Sequence, residues 1–150
     1  MLSLRRFLRR STPDNSAGTT GPAARSTALQ TRILGVTESA EDAAELTAIA
    51  AESGWSVSVV SSSAAAIELL QRRPTPLVIC DRDLPGEDWR RAVSALAAQP
   101  AVRCVLLASP VLDEYLLDEV IKHHGYDIVA KPFDAEQLRR AVTFASSWRE

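Results

Sequence analysis

The chain is poor in features that mark several large classes of protein. It has only two cysteines, Cys80 and Cys104, each inside an apolar run and without the paired spacing that metal or redox sites use. They read as buried fillers in a reducing compartment. No apolar run approaches the roughly 20 residues that span a bilayer. The first loop of the folded part, TESAED over 37–42, contains no glycine, which excludes the phosphate cradle of flavin and dinucleotide sites. Near the start, Arg5, Arg6, Arg9 and Arg10 interrupt Leu4, Phe7 and Leu8, so there is no apolar core of a secretory signal. The expected location is cytoplasmic.

What is present is ordinary for a soluble protein: 150 residues, 46% hydrophobic, net charge -2, or one domain's worth of chain. The charge is unevenly spread. Five Arg and one Asp up to Thr27 make that segment +4, which leaves -6 for the remainder. Residues 2–10 are basic and weakly amphipathic, and 11–27 are Ser, Thr, Gly, Pro and Ala without periodicity, a composition that buries too little to offset its ordering entropy. Residues 1–30 are therefore expected to be a disordered basic tail and linker, and 31–150 a domain. The basic end suits a solvated tail, a membrane surface, an acidic partner or the domain's own acidic face.

From Arg32 onward, short apolar strands alternate with helical periodicity. Strands are expected over 33–36, 55–60, 77–80, 102–108 and 128–130, and helices over 41–53, 64–73, 89–98, 112–124 and from 134 to the end. Gly54 stops the first helix and Pro74 the second. Asp88 caps the third, Gly125 closes the fourth, and Asp134 with Gln137 opens the fifth. Leu77, Val78, Ile79 and Cys80 form an unbroken run, the mark of a strand buried on both faces. Five such units with short connections imply one parallel sheet covered on both sides.

In such a sheet ligands bind outside the carboxyl ends of the strands. The polar residues there are Thr37 and Glu38 after the first strand, Asp81 after the third, Ser109 after the fourth and Lys131 after the fifth. Asp81 either caps a turn or does chemistry. Mg²⁺ takes hard oxygen ligands and keeps several waters, so Glu38, Asp81 and the backbone carbonyl of Asp83 would suffice to hold it. For phosphoryl transfer, Asp81 suits a nucleophile, Lys131 a charge clamp and Ser109 a hydrogen-bond donor.

Three motifs carry a resemblance: Asp81 in CDRDLPG, Ser109 in LLAS and Lys131 in AKPF, each at the end of the expected strand. Together they resemble the receiver domain of a two-component response regulator over 32–148. The resemblance implies a flavodoxin-like (βα)5 fold with strand order 2-1-3-4-5, a cis peptide before Pro132, and Mg²⁺ as a weakly bound cofactor. It also implies phosphorylation of Asp81 by a sensor histidine kinase or phosphotransfer protein, with Mg²⁺-dependent self-phosphotransfer and autodephosphorylation as the most enzymatic activity expected. The face made by the fourth helix, fifth strand and fifth helix would meet a downstream protein partner or a second copy of the chain. The acidic composition, with no helix-turn-helix after the domain, argues against direct nucleic-acid binding.

The chain departs from the family pattern at several positions. Thr37 and Glu38 stand where the family has two acidic residues, so one carboxylate is missing and the other is a methylene longer, which weakens a cation site. Glu41 and Asp42 are expected to open the first helix, where negative charge suits the dipole. Ile128 holds a position that is usually aromatic, and alternation would put Tyr126 on its face as a partial substitute. Trp89 is expected to pack, and His123 and His124 to favour the C-terminal end of the fourth helix. These departures leave two readings open, a single-domain response regulator phosphorylated on Asp81 or a pseudo-receiver that binds a partner without phosphorylation. A small-molecule enzyme is the least supported class.

Overall fold

The computed structural model describes residues 30–147; of the expected tail over 1–30, all but its last residue lies outside the described residues. Five strands, β1 (Arg32–Val36), β2 (Ser56–Val60), β3 (Leu77–Asp81), β4 (Cys104–Ser109) and β5 (Asp127–Ala130), alternate with five helices. The helices are α1 (Ala40–Ser53), α2 (Ser63–Arg72), α3 (Trp89–Ala97), α4 (Glu114–Lys122) and α5 (Ala135–Ser146). All the strands pair in parallel, in the order β2-β1-β3-β4-β5. This is the flavodoxin-like arrangement the sequence led us to expect.

Alternation along the strands divides the interior into two cores. Leu34, Val36, Val78, Cys80, Val105, Leu107 and Ile128 pack under α2, α3 and α4. Ile33, Leu77, Ile79, Leu106, Ala108 and Val129 pack under α1 and α5. Each helix starts on a side chain that accepts from one of its own first amides: Ser39, Ser62, Asp88, Asp113 and Asp134. All five caps lie just beyond strand carboxyl ends, so the rim that carries the polar residues is held by short loops.

Two expectations are corrected. Helix α4 stops earlier than its apolar pattern, at Lys122, and the left-handed residue that ends it is His124 (φ 75°), not Gly125. Gly125 is needed for space: a Cβ there would lie 2.6 Å from Val120 Cγ1 and 3.2 Å from Val93 Cγ1. Tyr126 does not share a face with Ile128. It precedes the strand and packs in the α1/α5 core with its ring 6.5 Å from that of Phe144, whereas Ile128 is in the opposite core. Alternation holds only inside a strand, and β5 begins at Asp127.

Candidate functional site

Three side chains, Thr37, Asp81 and Lys131, converge at the rim on the face covered by α1 and α5. The parity of each strand puts them there: Asp81 continues the Leu77, Ile79 series, Lys131 follows Val129, and Thr37 follows Ile33 and Gly35. Although two of the three lie past the formal strand ends, backbone bonds still hold them to the sheet. The Thr37 amide donates to Val60 O (2.9 Å), the Lys131 amide to Ser109 O (3.0 Å), and the Arg82 amide after Asp81 to Ala108 O (2.9 Å). The peptide between Lys131 and Pro132 is cis, as the resemblance implied.

Asp81 is only 5% exposed, and both of its oxygens are occupied. Oδ2 accepts from the Thr37 hydroxyl (2.8 Å); Oδ1 accepts from the Asp83 amide (2.9 Å) and the Lys131 ammonium (3.1 Å). The Thr37 hydroxyl accepts in turn from the Ser39 amide (3.1 Å), which aims its proton at Asp81. Burial alone would push the Asp81 carboxyl up, but the Asp83 amide, the Thr37 hydroxyl and Lys131 together hold it below the ordinary 3.8. Asp81 is thus an ionised carboxylate at neutral pH in a largely covered site. Cys80 beside it is pushed up to about 12, by burial first and then by the charges of Asp81 and Glu87, so its thiol takes no part in nucleophilic chemistry.

The structure also brings in Asp42, which had been expected to favour the helix dipole, with help to the metal as the lesser alternative. Its Oδ2 lies 2.7 Å from Lys131 Nζ, closer than Asp81 does, with both side chains mostly covered. Burial pulls the Lys131 ammonium down, and its hydrogen bonds to Asp42 and Asp81 more than reverse this. The signal was present in the sequence: Asp42 stands four and seven residues before Leu46 and Ile49, on the inward stripe of α1. Glu45, on the same side, accepts from the Phe133 amide (3.2 Å).

The other expected site residues are placed differently. Ser109 is fully buried, but its hydroxyl donates to Val111 O (2.9 Å) and accepts from the Val111 amide (3.0 Å). Asp81 pairs in register with Ala108, so Ser109 belongs to the Val105, Leu107 face, on the other side of the strand. Glu38 and Glu41 are exposed, outside the contacts made by Asp81. Trp89 packs as expected, edge-on to His123 at 6.3 Å and covered by the Arg90 guanidinium at 4.7 Å.

Mg²⁺ takes hard oxygen donors; those expected to hold it would be the Asp81 carboxylate, the backbone carbonyl of Asp83 and the exposed Glu38. Among the described residues no three His, Cys, Asp or Glu side chains form a metal cluster. A cation here would draw most of its shell from water and from a bound anion. The space enclosed among Gly35, Leu46, Asp81, Lys131 and Phe133 is about 10 Å³, room for one water at most, so any reacting group must sit at the open mouth of the rim.

Solved structures of similar shape agree with this fold. The chemotaxis response regulator CheY4 of Vibrio cholerae matches with a TM-score of 0.72 at 17% identity, covering 78% of this chain and 99% of that one. The receiver domain of the TMAO respiratory system response regulator TorR matches at 0.70 and 25% identity, over 79% and 98%. The beryllofluoride-activated NtrC4 receiver domain, solved as a dimer, matches at 0.68 and 19%, over 76% and 94%. A comparison with curated protein sequences gives no match. The family model for the response regulator receiver domain matches residues 26–143, and with nearly four-fifths of the chain inside that match, this protein belongs to the response regulator receiver domain family.

Proposed function

We propose that the protein is a response regulator that accepts a phosphoryl group on Asp81 from a histidine kinase or phosphotransfer protein. The observation that carries this reading is the ionised, buried Asp81 carboxylate with the Lys131 ammonium 3.1 Å from it at the mouth of the sheet. An Asp81 oxygen attacks the phosphorus of a phosphohistidine; the P–O bond forms as the P–N bond breaks, and the departing imidazole takes its proton from solvent. Lys131 can swing from Asp81 onto the phosphoryl oxygens, where its charge stabilises the transfer. Mg²⁺, held by Glu38, Asp81 and the Asp83 carbonyl, would supply the remaining charge neutralisation. Ser109 would meet the phosphoryl group only after its hydroxyl leaves Val111, a rearrangement that couples the site to the start of α4.

On that side the surface offers apolar area to a partner: Tyr115 is 68% exposed, Val111 43% and Ile121 42%. We place the downstream contact, or a second copy of the chain as in the NtrC4 receiver dimer, on the α4-β5-α5 face. No helix among the described residues is long and apolar enough to cross a membrane. A second reading, a receiver that binds its partner without phosphorylation, draws support from Thr37, a neutral donor where the family has a carboxylate, and from the aliphatic Ile128.

One experiment separates the two. With Mg²⁺ and acetyl phosphate, intact-mass measurement is expected to show a single phosphoryl adduct that disappears in Asp81→Asn. The absence of an adduct at any donor concentration, together with partner binding that survives Asp81→Ala, would establish the second reading.

A further inference from the structure

Helix α1 sends two carboxylates onto the loop that carries Lys131. Asp42 Oδ2 holds the ammonium at 2.7 Å, and Glu45 Oε1 accepts from the Phe133 amide at 3.2 Å, two residues further along the same loop. They are three residues apart, one helical turn, and so face the same side. Below them the stripe continues with the buried Leu46 and Ile49, which seats the helix against the sheet and fixes the height of both acids over the rim. The neighbouring Glu41, in the same first turn, is exposed and makes neither contact.

We infer that Asp42, assisted by Glu45, is a positioning residue for Lys131, holding its ammonium between two carboxylates instead of letting it settle on Asp81 alone. Proximity to the incoming group is what the lysine must supply. An ammonium settled on Asp81 alone would neutralise the attacking oxygen and stand where a cation and the phosphoryl oxygens must arrive. Shared with Asp42, it leaves Asp81 more of its charge and remains within reach of the group being transferred. The inference rests on the phosphorylation reading for its catalytic consequence but not for its structural one.

The test uses the full chain with Asp42→Asn, Asp42→Glu, Glu45→Gln and Glu41→Gln. With Mg²⁺ and acetyl phosphate, Asp42→Asn is expected to slow adduct formation at saturating donor by about ten-fold, since small displacements of a positioned group cost up to ~100-fold. The half-saturating donor concentration should move by less than about two-fold, the pattern of a lost transition-state contact. Asp42→Glu should recover most of the rate, and Glu41→Gln, which alters the same helix dipole without touching Lys131, should keep it. An equal loss in Glu41→Gln, or none in Asp42→Asn, would overturn the inference. Amide hydrogen exchange supplies a readout independent of phosphorylation: Asp42→Asn and Glu45→Gln should each speed exchange at Lys131 and Phe133 by about ten-fold through local opening, with β3 unaffected. If the parent takes no phosphoryl group, the functional reading falls while the exchange result still decides the positioning role; unchanged exchange in both variants would end it.

Discussion

Asp81 shows how three donors overcome burial. The Asp83 amide, the Thr37 hydroxyl and the Lys131 ammonium favour the charged form and bring the carboxyl below 3.8 although the side chain is nearly out of solvent. A group depressed in the folded state contributes stability that is complete above its unfolded pKa and is lost as pH falls through its folded one. The stability of the parent is therefore flat in this respect above about pH 4 and falls below it. In Asp81→Asn that part of the fall is missing, so urea-unfolding free energies measured between about pH 5 and pH 3 should decline less steeply than in the parent. A steeper decline would show that the Asp81 contacts are not those of the folded state in solution. Thr37 belongs to the same account: a hydroxyl has no charge to offer a cation, but it orients the carboxylate by donating to one oxygen while its own oxygen accepts from Ser39.

Among the elements, the end of α4 separates the two jobs a terminating glycine can perform. His124 bears the left-handed conformation that costs a side chain roughly 1–2 kcal/mol, and Gly125 supplies room against Val120 and Val93. His124→Gly should stabilise the domain by up to about 1 kcal/mol, after the entropy glycine loses on folding. Gly125→Ala should destabilise it by about 1–3 kcal/mol through overpacking against a stiff, fully buried valine. Thermal unfolding of the two variants settles the assignment, and the opposite order of stabilities would return the cap to Gly125. At the start of α3, Arg90 bridges to Glu119 on α4 (2.9 Å) while lying over Trp89. Both groups remain partly open to water, so this pair adds little to stability; it links the first turn of α3 to the last turn of α4.

For the whole molecule, the central sheet with a core on each side is a single cooperative structure. Leu106 and Leu107 are adjacent in β4, both 0% exposed, and they point into opposite cores. Truncation to Ala at either position should cost about 2–5 kcal/mol, and each variant should still unfold in one transition, because the strand they share couples the layers. Far-UV and near-UV circular dichroism followed through urea would reveal two transitions if the α1/α5 core melted independently of the α2-α4 core. If Asp81 is phosphorylated as proposed, the neighbouring loops that carry Lys131 and Ser109, whose side chains point to opposite faces of the sheet, are the elements expected to move on this base.

The order of strands and helices, the double burial of β3, and the gathering of Asp81 and Lys131 at one rim were legible in the amino-acid pattern, because apolar runs of 3 to 5 residues ended by polar ones encode a parallel sheet and its open edge directly. Side-chain pairing across elements was not. Asp42 read as a dipole residue because a carboxylate in a first turn has that use in any helix, and only the seating of α1 on the sheet brings it to within 2.7 Å of Lys131. Ser109 shared the rim in sequence, yet strand parity turned its hydroxyl to Val111. Tyr126 stood one residue outside β5, where alternation no longer applied. Local periodicity determines which residues lie at the end of a strand; which of them touch depends on helix docking and on the exact residue at which pairing begins, and both are settled only when the layers pack.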